Sequence, residues 1–172
     1  MPDKAMGRGG SLVIVLMGVA GAGKTTVGQL LASELGWDFK DGDDYHSAVN
    51  VEKMRNGIPL TDADRAPWLE ALRVLVGGWV AEGKSGVLAC SALKQRYREM
   101  LQVGPEVQFV YLRAASMLLQ ERLRARRGHY MTEQMLASQL AALEEPKDAI
   151  IIDANGSPEE IVRTIRAKLA LN

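Results

Sequence analysis

The sequence predicts an α/β domain built on a five-stranded parallel sheet with helices on both of its faces. Short apolar runs alternate along the chain with amphipathic helical segments. A glycine-rich run joins the first apolar segment to the first helix. The chain has 172 residues, which is the size of one compact domain. We assign that domain to residues 11–172 and a disordered tail to residues 1–10.

Five apolar runs have the length and the residue types of buried strands. They fall at residues 12–17, 37–40, 87–90, 107–112 and 149–152. Most of these runs are apolar throughout rather than at alternate positions, which is typical of parallel strands covered on both faces. The ligand-binding edge of such a sheet lies where the strands end.

Helical patterns connect the strands, and two of the connections are unusually long. Helices are predicted at residues 24–35, 64–80, 115–127, 132–143 and 158–169. The last helix begins with a capping signal, in which Ser157 is followed by Pro158 and Glu160. The long connections are a mostly helical excursion at 46–82 and an arginine-rich lid at 124–131. Both leave the sheet at its ligand-binding edge, so we expect both to fold over a ligand.

The run GVAGAGKT, residues 18–25, fits the phosphate-binding motif G-x-x-x-x-G-K-[S/T] and stands between a strand and a helix. Glycines let backbone N–H groups approach a phosphate, and the N-terminus of the following helix attracts the anion. Lys24 supplies a charge for the β- and γ-phosphates, and the Thr25 hydroxyl is a hard oxygen ligand for Mg²⁺. The residues predicted to bind a nucleotide here are Gly18, Ala20, Gly21, Ala22, Gly23, Lys24, Thr25 and Thr26.

Composition argues against several classes of function. Basic and acidic residues number 21 each, so nothing global indicates binding to nucleic acid or to an anionic membrane. No apolar run approaches the ~20 residues of a membrane span, and residues 1–10 lack the apolar core of a signal peptide. We therefore expect a cytoplasmic protein. The single cysteine, Cys90, excludes an internal disulfide and is expected to be a buried, inert thiol.

An acidic cluster follows the second predicted strand. Asp41 and Asp43 are two positions apart, and on an extended segment this spacing places both side chains on one face. Phosphoryl transfer to a hydroxyl needs a carboxylate near that hydroxyl and oxygen ligands for the metal. We assign Asp43 to the acceptor and Asp41 to the Mg²⁺ shell. The alternative is a solvated acidic turn.

Arginines near the predicted lid are candidates for stabilising a transferring phosphoryl group. Arg122 and Arg126 lie four positions apart and therefore share a helix face. Guanidinium groups on a closing lid neutralise the charge that spreads over the γ-phosphoryl oxygens. The alternative is an ordinary basic helix face in contact with solvent.

Lys94 and the two histidines are weaker candidates when each is considered alone. Ser91 follows the third strand and is predicted to be a helix N-cap, and Lys94, one turn later, is within reach of a polyol or a carboxylate. His46 and His129 are the only histidines and have no zinc-site spacing. Hydrogen bonds to a polar substrate are the functional interpretation of these histidines, and ordinary surface histidines are the alternative.

Together these segments resemble gluconokinases of the P-loop type, which are related to shikimate and adenylate kinases. The phosphate-binding loop is common to many families, whereas the other matching segments are specific and occur in the family's order. The resemblance covers residues 12–169. It rests on GVAGAGKTT (18–26), GWDFKDGDDYH (36–46), NVEKMRNGIPL (50–60), TDADRAPWL (61–69), CSALKQRY (90–97), RGHYM (127–131) and SQLAALEEP (138–146).

The resemblance implies a P-loop kinase fold with strand order 2-3-1-4-5, ATP and Mg²⁺ as cofactors, a homodimer, and phosphorylation of D-gluconate to 6-phospho-D-gluconate. The implied catalytic residues are Lys24, Asp43 and Arg126. The implied substrate contacts are Asp43, His46, Arg55, Lys94, His129 and Gln139. Within that set Asp43 lies near the hydroxyl that is phosphorylated, and Arg55 binds the carboxylate. On the nucleotide, Arg122 and Arg126 cover the phosphates and Asn155 lies beside the adenine.

Two alternatives remain open from the sequence. Within kinases, a nucleoside monophosphate as acceptor fits the layout of the two excursions, whereas no shikimate-binding motif is recognised. A regulatory module without transfer chemistry would bind ATP, and the intact Asp41, Asp43 and lid arginines argue against it. A GTPase switch is disfavoured because the chain has no N-K-x-D segment.

Overall fold

The computed structural model describes residues 10–125 and 133–172. The predicted tail, except Gly10, lies outside this range, as do residues 126–131 of the predicted lid with Arg126 and His129. The described strands are β1 (Val13–Met17), β2 (Asp38–Asp41), β3 (Gly86–Ala89), β4 (Val107–Arg113) and β5 (Ile150–Asp153). The helices are α1 (Lys24–Leu35), α2 (Ala48–Arg55), α3 (Asp62–Ala81), α4 (Gln95–Leu101), α5 (Ser116–Ala125), α6 (Glu133–Ala142) and α7 (Pro158–Lys168), with a short 3₁₀ helix at Gly42–Tyr45.

The five strands form one parallel sheet in the order β2-β3-β1-β4-β5, which confirms the predicted topology. All five residues of the central strand β1 are buried. Its side chains alternate between two hydrophobic cores, with Ile14 and Leu16 in one and Val13, Val15 and Met17 in the other. The uninterrupted apolar run therefore reflects helices on both faces of the sheet, as predicted.

Each core is completed by helices from one side of the sheet. Leu31 of α1, Leu119 of α5 and Ile165 of α7 pack in the first core. Leu72 of α3 and Leu101 of α4 pack in the second. Among the described residues, none of the helices combines the length and the apolar character that crossing a bilayer requires.

Most predicted elements occur within two residues of their expected ends, and the differences have local causes. Helix α3 begins at Asp62, earlier than predicted, because Thr61 and Asp64 form a capping box at its start. The predicted capping box at Ser157 is confirmed. The prediction that Ser91 caps a helix is wrong, because α4 begins only at Gln95 and is preceded by Lys94. The helix expected after Ser91 is α4, which begins four residues later, and the 3₁₀ helix was not predicted.

A third, smaller apolar cluster joins the helical excursion to α6. It contains Met54 of α2, Leu60 of the loop that precedes α3, and Met135 of α6. These three residues also line the cavity described below. The cluster therefore connects two segments on opposite sides of that cavity.

Candidate active site

A cavity of about 520 Å³ lies at the carboxyl ends of β1, β2 and β3. This is the edge at which parallel α/β sheets bind ligands. Segments that are far apart in sequence contribute to it, including the phosphate-binding loop, the 3₁₀ helix, α3 and α6. The predicted site residues that line it are Ala20, Gly21, Gly23, Lys24, Thr25, Thr26, Asp41, Asp43, His46 and Gln139.

The phosphate-binding loop has the backbone that its glycines predict. Gly18 has φ 147°, and a Cβ there would lie 2.8 Å from the Leu112 carbonyl oxygen. Gly21 has φ 84°, and a Cβ there would lie 3.0 Å from the Leu119 carbonyl oxygen. Helix α1 follows with no side-chain cap and no acidic residue in its first turn. No acidic residue of the helix itself therefore competes with a phosphate for the N–H groups of its first turn.

Thr25 and Asp41 form the candidate metal site. The Thr25 Oγ1 donates a hydrogen bond to the Asp41 Oδ2 at 2.7 Å, which joins the first turn of α1 to the end of β2. Both side chains offer hard oxygen atoms. In residues 10–125 and 133–172 no group of three or more His, Cys, Asp or Glu forms a metal cage. This donor set fits Mg²⁺, which keeps several waters and binds through one or two protein oxygens plus substrate phosphates.

Asp43 reaches the cavity by a different route from the predicted one. The chain is not extended there, because Asp43 lies in the first turn of the 3₁₀ helix. That N–H donates to the Asp41 Oδ1 at 3.0 Å, so Asp41 caps the turn. Both carboxylates line the cavity nevertheless. Asp43 is exposed on the cavity side of the turn, where a hydroxyl can approach it.

His46 is held against the aromatic ring of Trp68 on α3. The two ring centroids are 4.3 Å apart and the planes are inclined by 12°. The Trp68 Nε1 donates to the buried Gly42 carbonyl oxygen at 2.7 Å, which fixes the indole against the 3₁₀ helix. Burial, and secondarily the charge of Arg65, lower the pKa of His46 to about 4. The imidazole is therefore neutral near pH 7.

In the described part of the chain, the arginine that lines the cavity is Arg65. Arg55 is exposed on α2 and is not among the residues that line the cavity. The Arg65 Nη1 donates to the Tyr97 hydroxyl at 3.3 Å, and the guanidinium lies 5.8 Å from the centre of that ring. Lys94 also lies outside the lining, where its Nζ is 3.2 Å from the Asp62 Oδ1.

On the lid side, Arg122 contacts the backbone of both segments predicted to hold the nucleotide. Its Nη1 donates to the Gly21 and Ala22 carbonyl oxygens, at 3.1 Å each, and its Nη2 donates to the Ala154 carbonyl oxygen at 2.7 Å. Asn155 directly follows Ala154, and its N–H donates to Asp153. Arg122 thus joins the phosphate-binding loop to the segment after β5.

Gln139 connects α6 to the phosphate-binding loop. Its Oε1 accepts a hydrogen bond from the Ala20 N–H at 2.8 Å. Because the carboxamide oxygen is used in this way, the carboxamide N–H₂ is the end of Gln139 that can donate to a ligand. Gln139 thus lines the same cavity as Lys24 and Asp43.

Comparison with known proteins agrees with this geometry. The family model for shikimate kinase matches residues 20–170. The gluconokinase of Gluconobacter oxydans (strain 621H) is 45% identical over 164 residues, which cover 90% of this chain and 92% of that protein. The chain belongs to the gluconokinase family.

Two solved structures extend the comparison to the fold. An unliganded sugar kinase from Janibacter sp. HTCC2649 has a TM-score of 0.86 at 39% identity, over 94% of this chain and 95% of that chain. A gluconokinase from Sinorhizobium meliloti 1021 has a TM-score of 0.81 at 41% identity, over 94% of this chain and 92% of that chain. The P-loop kinase fold and the gluconokinase resemblance, both expected from the sequence, are confirmed.

Several cavity residues of this gluconokinase-family chain were not predicted. Arg65 and Trp68 are three positions apart on α3, inside the segment TDADRAPWL that carried part of the resemblance. Their spacing was a usable signal, because positions i and i+3 of a helix lie on the same face. Cys90 also lines the cavity, and burial raises the pKa of its thiol to about 12. The expectation of a buried thiol is confirmed, and its inertness stays a prediction.

Proposed function

We propose that this chain transfers the γ-phosphoryl group of ATP to the terminal hydroxyl of D-gluconate, giving ADP and 6-phospho-D-gluconate. The observation that carries the proposal is one cavity in which a phosphate-binding loop faces Asp43, His46 and Arg65, in a member of the gluconokinase family. The loop suits the phosphates of ATP, and the opposite wall suits an anionic polyol.

The nucleotide half of the site holds the triphosphate. The N–H groups of the loop and of the first turn of α1 bind the phosphates, and Lys24 supplies a positive charge beside them. Thr25 and Asp41 would hold Mg²⁺, which supplies charge neutralisation of the phosphate oxygens when bound. Arg122 and Arg126 complete this half as lid arginines, and Asn155 lies beside the adenine.

The acceptor half of the site positions the hydroxyl. The Asp43 carboxylate accepts a hydrogen bond from the terminal hydroxyl of gluconate. As the hydroxyl oxygen bonds to the γ-phosphorus, the bond from that phosphorus to the β–γ bridging oxygen breaks, and the hydroxyl proton passes to Asp43. His46 and Gln139 donate hydrogen bonds to the polyol or to the transferring phosphoryl group, and His129 is assigned to the same set.

We assign the substrate carboxylate to Arg65, in the role expected of Arg55. Three cations, Arg65, Lys94 and Arg96, lie within 5.8 Å of the centre of the Tyr97 ring. Asp62 pairs with Lys94 and Arg96, whereas Arg65 donates to the neutral Tyr97 hydroxyl. Asp62 therefore offsets part of the charge of Lys94 and Arg96 outside the lining, and Arg65 presents its guanidinium to the cavity. A guanidinium binds a carboxylate through two parallel hydrogen bonds.

The experiment is to measure ADP release from Mg-ATP with D-gluconate, with shikimate, with AMP and with no acceptor. We expect release that depends on gluconate, and Asp43→Asn should lower kcat by at least about 100-fold while ATP still binds. ADP release with another acceptor, or ATP binding without acceptor-dependent release, would reject the proposal.

A matched pair of arginine variants tests the carboxylate assignment. Arg65→Gln should raise the gluconate KM by about 10- to 100-fold, because charge-assisted hydrogen bonds contribute about 1.5–3 kcal/mol. Arg55→Gln removes the same charge from an exposed position on α2 and should change that KM less than about 3-fold. The reverse ranking would restore the carboxylate role to Arg55.

The proposal includes a cytoplasmic homodimer, as the family resemblance and the composition lead us to expect. Sedimentation velocity at micromolar protein concentration measures the oligomeric state directly. A species with the mass of one 18.7 kDa chain at all concentrations would contradict the dimer.

A further inference from the structure

Asn50 is a buried polar residue directly beside the candidate substrate-binding histidine. Its exposed fraction is only 5%. The Asn50 Nδ2 donates to the Asp64 carbonyl oxygen at 2.8 Å and lies 3.5 Å from the His46 Nδ1. Asn50 therefore connects α2, where it lies, to α3 and to the imidazole at the end of the 3₁₀ helix.

The chemistry of these partners fixes the direction of each hydrogen bond. The Asp64 carbonyl oxygen can only accept, so the carboxamide nitrogen of Asn50 must face it. A carboxamide nitrogen carries two hydrogens, and the second is available to the imidazole. Because that nitrogen can only donate, the His46 Nδ1 must accept, and the ring proton must reside on Nε2.

We propose that Asn50 is a positioning residue that holds His46 as the neutral Nε2–H tautomer, so that the imidazole donates a hydrogen bond to the substrate. The Trp68 ring, stacked at 4.3 Å, fixes the plane of the imidazole, and Asn50 fixes which of its nitrogens carries the proton. The tautomer itself is a property of the free protein. The donation to substrate rests on the proposed function.

The surrounding charges agree with this assignment. Arg65 on α3 faces His46 with a positive charge, and Asp43 on the 3₁₀ helix lines the same cavity with a negative one. A charged imidazolium would be repelled by Arg65 and would compete with the substrate hydroxyl for Asp43. A neutral Nε2–H donor leaves Asp43 as the acceptor of the hydroxyl proton, so the two side chains have complementary roles.

The experiment is long-range ¹H–¹⁵N NMR of the histidine rings in the full chain without ligand. The chain has only two histidines, and a His129→Gln variant assigns the signals. We expect His46 to show the Nε2–H pattern and to remain neutral at pH 6. An Nδ1–H pattern for His46 in the wild-type chain, or fast exchange between its tautomers, would overturn the proposal. This result needs no Asn50 variant and no measurement of activity.

Variants then separate positioning from a structural role. Asn50→Leu removes both carboxamide N–H donors, so His46 should populate both of its neutral tautomers. The gluconate KM should then rise about 3- to 10-fold, with the ATP KM unchanged. Asn50→Asp replaces the donor by an acceptor and should move the proton to Nδ1 and raise the His46 pKa. Ser47→Ala is the matched control, because the Ser47 Oγ caps α2 by accepting from the Asn50 N–H at 3.1 Å. It should destabilise α2 and leave the tautomer unchanged.

The two kinds of failure are distinguishable. If the wild-type tautomer is as expected and Asn50→Leu mixes it, but no gluconate-dependent ADP release occurs, the proposed function fails and the positioning role stands. If gluconate is phosphorylated and Asn50→Leu retains the Nε2–H pattern, the positioning role fails and the proposed function stands.

Discussion

Replacing Trp68 by Phe removes one buried hydrogen bond and part of one aromatic stack. The indole Nε1 is the donor to the Gly42 carbonyl oxygen at 2.7 Å, and Gly42 is buried. A buried acceptor that loses its partner costs about 1–3 kcal/mol. The smaller ring keeps only part of the contact with His46, and aromatic pairs contribute about 0.5–1.5 kcal/mol. We expect the free energy of unfolding to fall by about 2–4 kcal/mol.

Two assays measure the consequences. Thermal unfolding followed by circular dichroism should show a melting temperature lower by about 5–15 °C, because 1 kcal/mol corresponds to about 2–4 °C in a chain of this size. Steady-state kinetics should show a gluconate KM raised by about 10-fold, because the 3₁₀ helix and His46 lose the surface that positions them. The ATP KM should stay within a factor of about two, because the hydrogen bond and the ring stack of Trp68 involve Gly42 and His46 rather than the phosphate-binding loop.

Trp79→Phe is the matched control on the same helix. Trp79 is also buried, and its ring lies directly over Gly86, where a Cβ would be 2.8 Å from it. Trp79 does not line the cavity. This variant should lose stability and keep the gluconate KM. A Trp68→Phe protein with an unchanged melting temperature, or with a gluconate KM no different from that of Trp79→Phe, would refute the reasoning.

Three further predictions concern the metal, the 3₁₀ helix and pH. Asp41→Asn should raise the Mg²⁺ concentration for half-maximal activity by about 10-fold, measured by Mg²⁺ titration; an unchanged requirement would exclude Asp41 from the metal shell. Gly42→Ala should lower the free energy of unfolding, measured with urea, by about 1–3 kcal/mol, because the new Cβ would lie 2.8 Å from the Ala89 carbonyl oxygen. Gly77→Ala is the control and should not destabilise the protein, because no atom lies within 4 Å of the position of its Cβ. Burial lowers the pKa of His46 to about 4, so between pH 6.5 and 4 the unfolded chain binds one more proton than the folded chain, and the free energy of unfolding should fall as the pH is lowered through this window. The urea midpoint of the His46→Gln variant should fall less over the same window. Equal pH dependence of the urea midpoint in the two proteins would contradict the burial of the ring.

The sequence was sufficient for features that depend on local pattern. The strands, α1 and the phosphate-binding loop follow from apolar runs and from a motif in which each residue type has a chemical reason. The sequence does not indicate which of Arg55 and Arg65 lines the cavity, because this depends on how α2 and α3 pack against the sheet. Asp43 shows the same limit: its place in the cavity was predicted, but from an extended geometry that the 3₁₀ helix replaces.

This limit has a physical basis in how the two halves of the cavity are built. The nucleotide half is made mostly of backbone N–H groups held by glycines, so a contiguous motif encodes it. The acceptor side of the cavity is lined by side chains from three separate elements, with Asp43 on the 3₁₀ helix, Met54 on α2, and Arg65 and Trp68 on α3. A motif common to many P-loop families therefore predicts the phosphate-binding half, whereas the acceptor was predicted from the resemblance of family-specific segments, and the packing of these elements decides which of their side chains line the cavity.

The helical excursion is also joined to the phosphate-binding loop through α6. Met54 and Leu60 come from the excursion that carries the acceptor residues, and both pack with Met135 on α6. On α6, one turn further, Gln139 accepts from the Ala20 N–H in the phosphate-binding loop. Helix α6 therefore contacts both the excursion and the phosphate-binding loop, so these two segments are joined by packed side chains and one hydrogen bond.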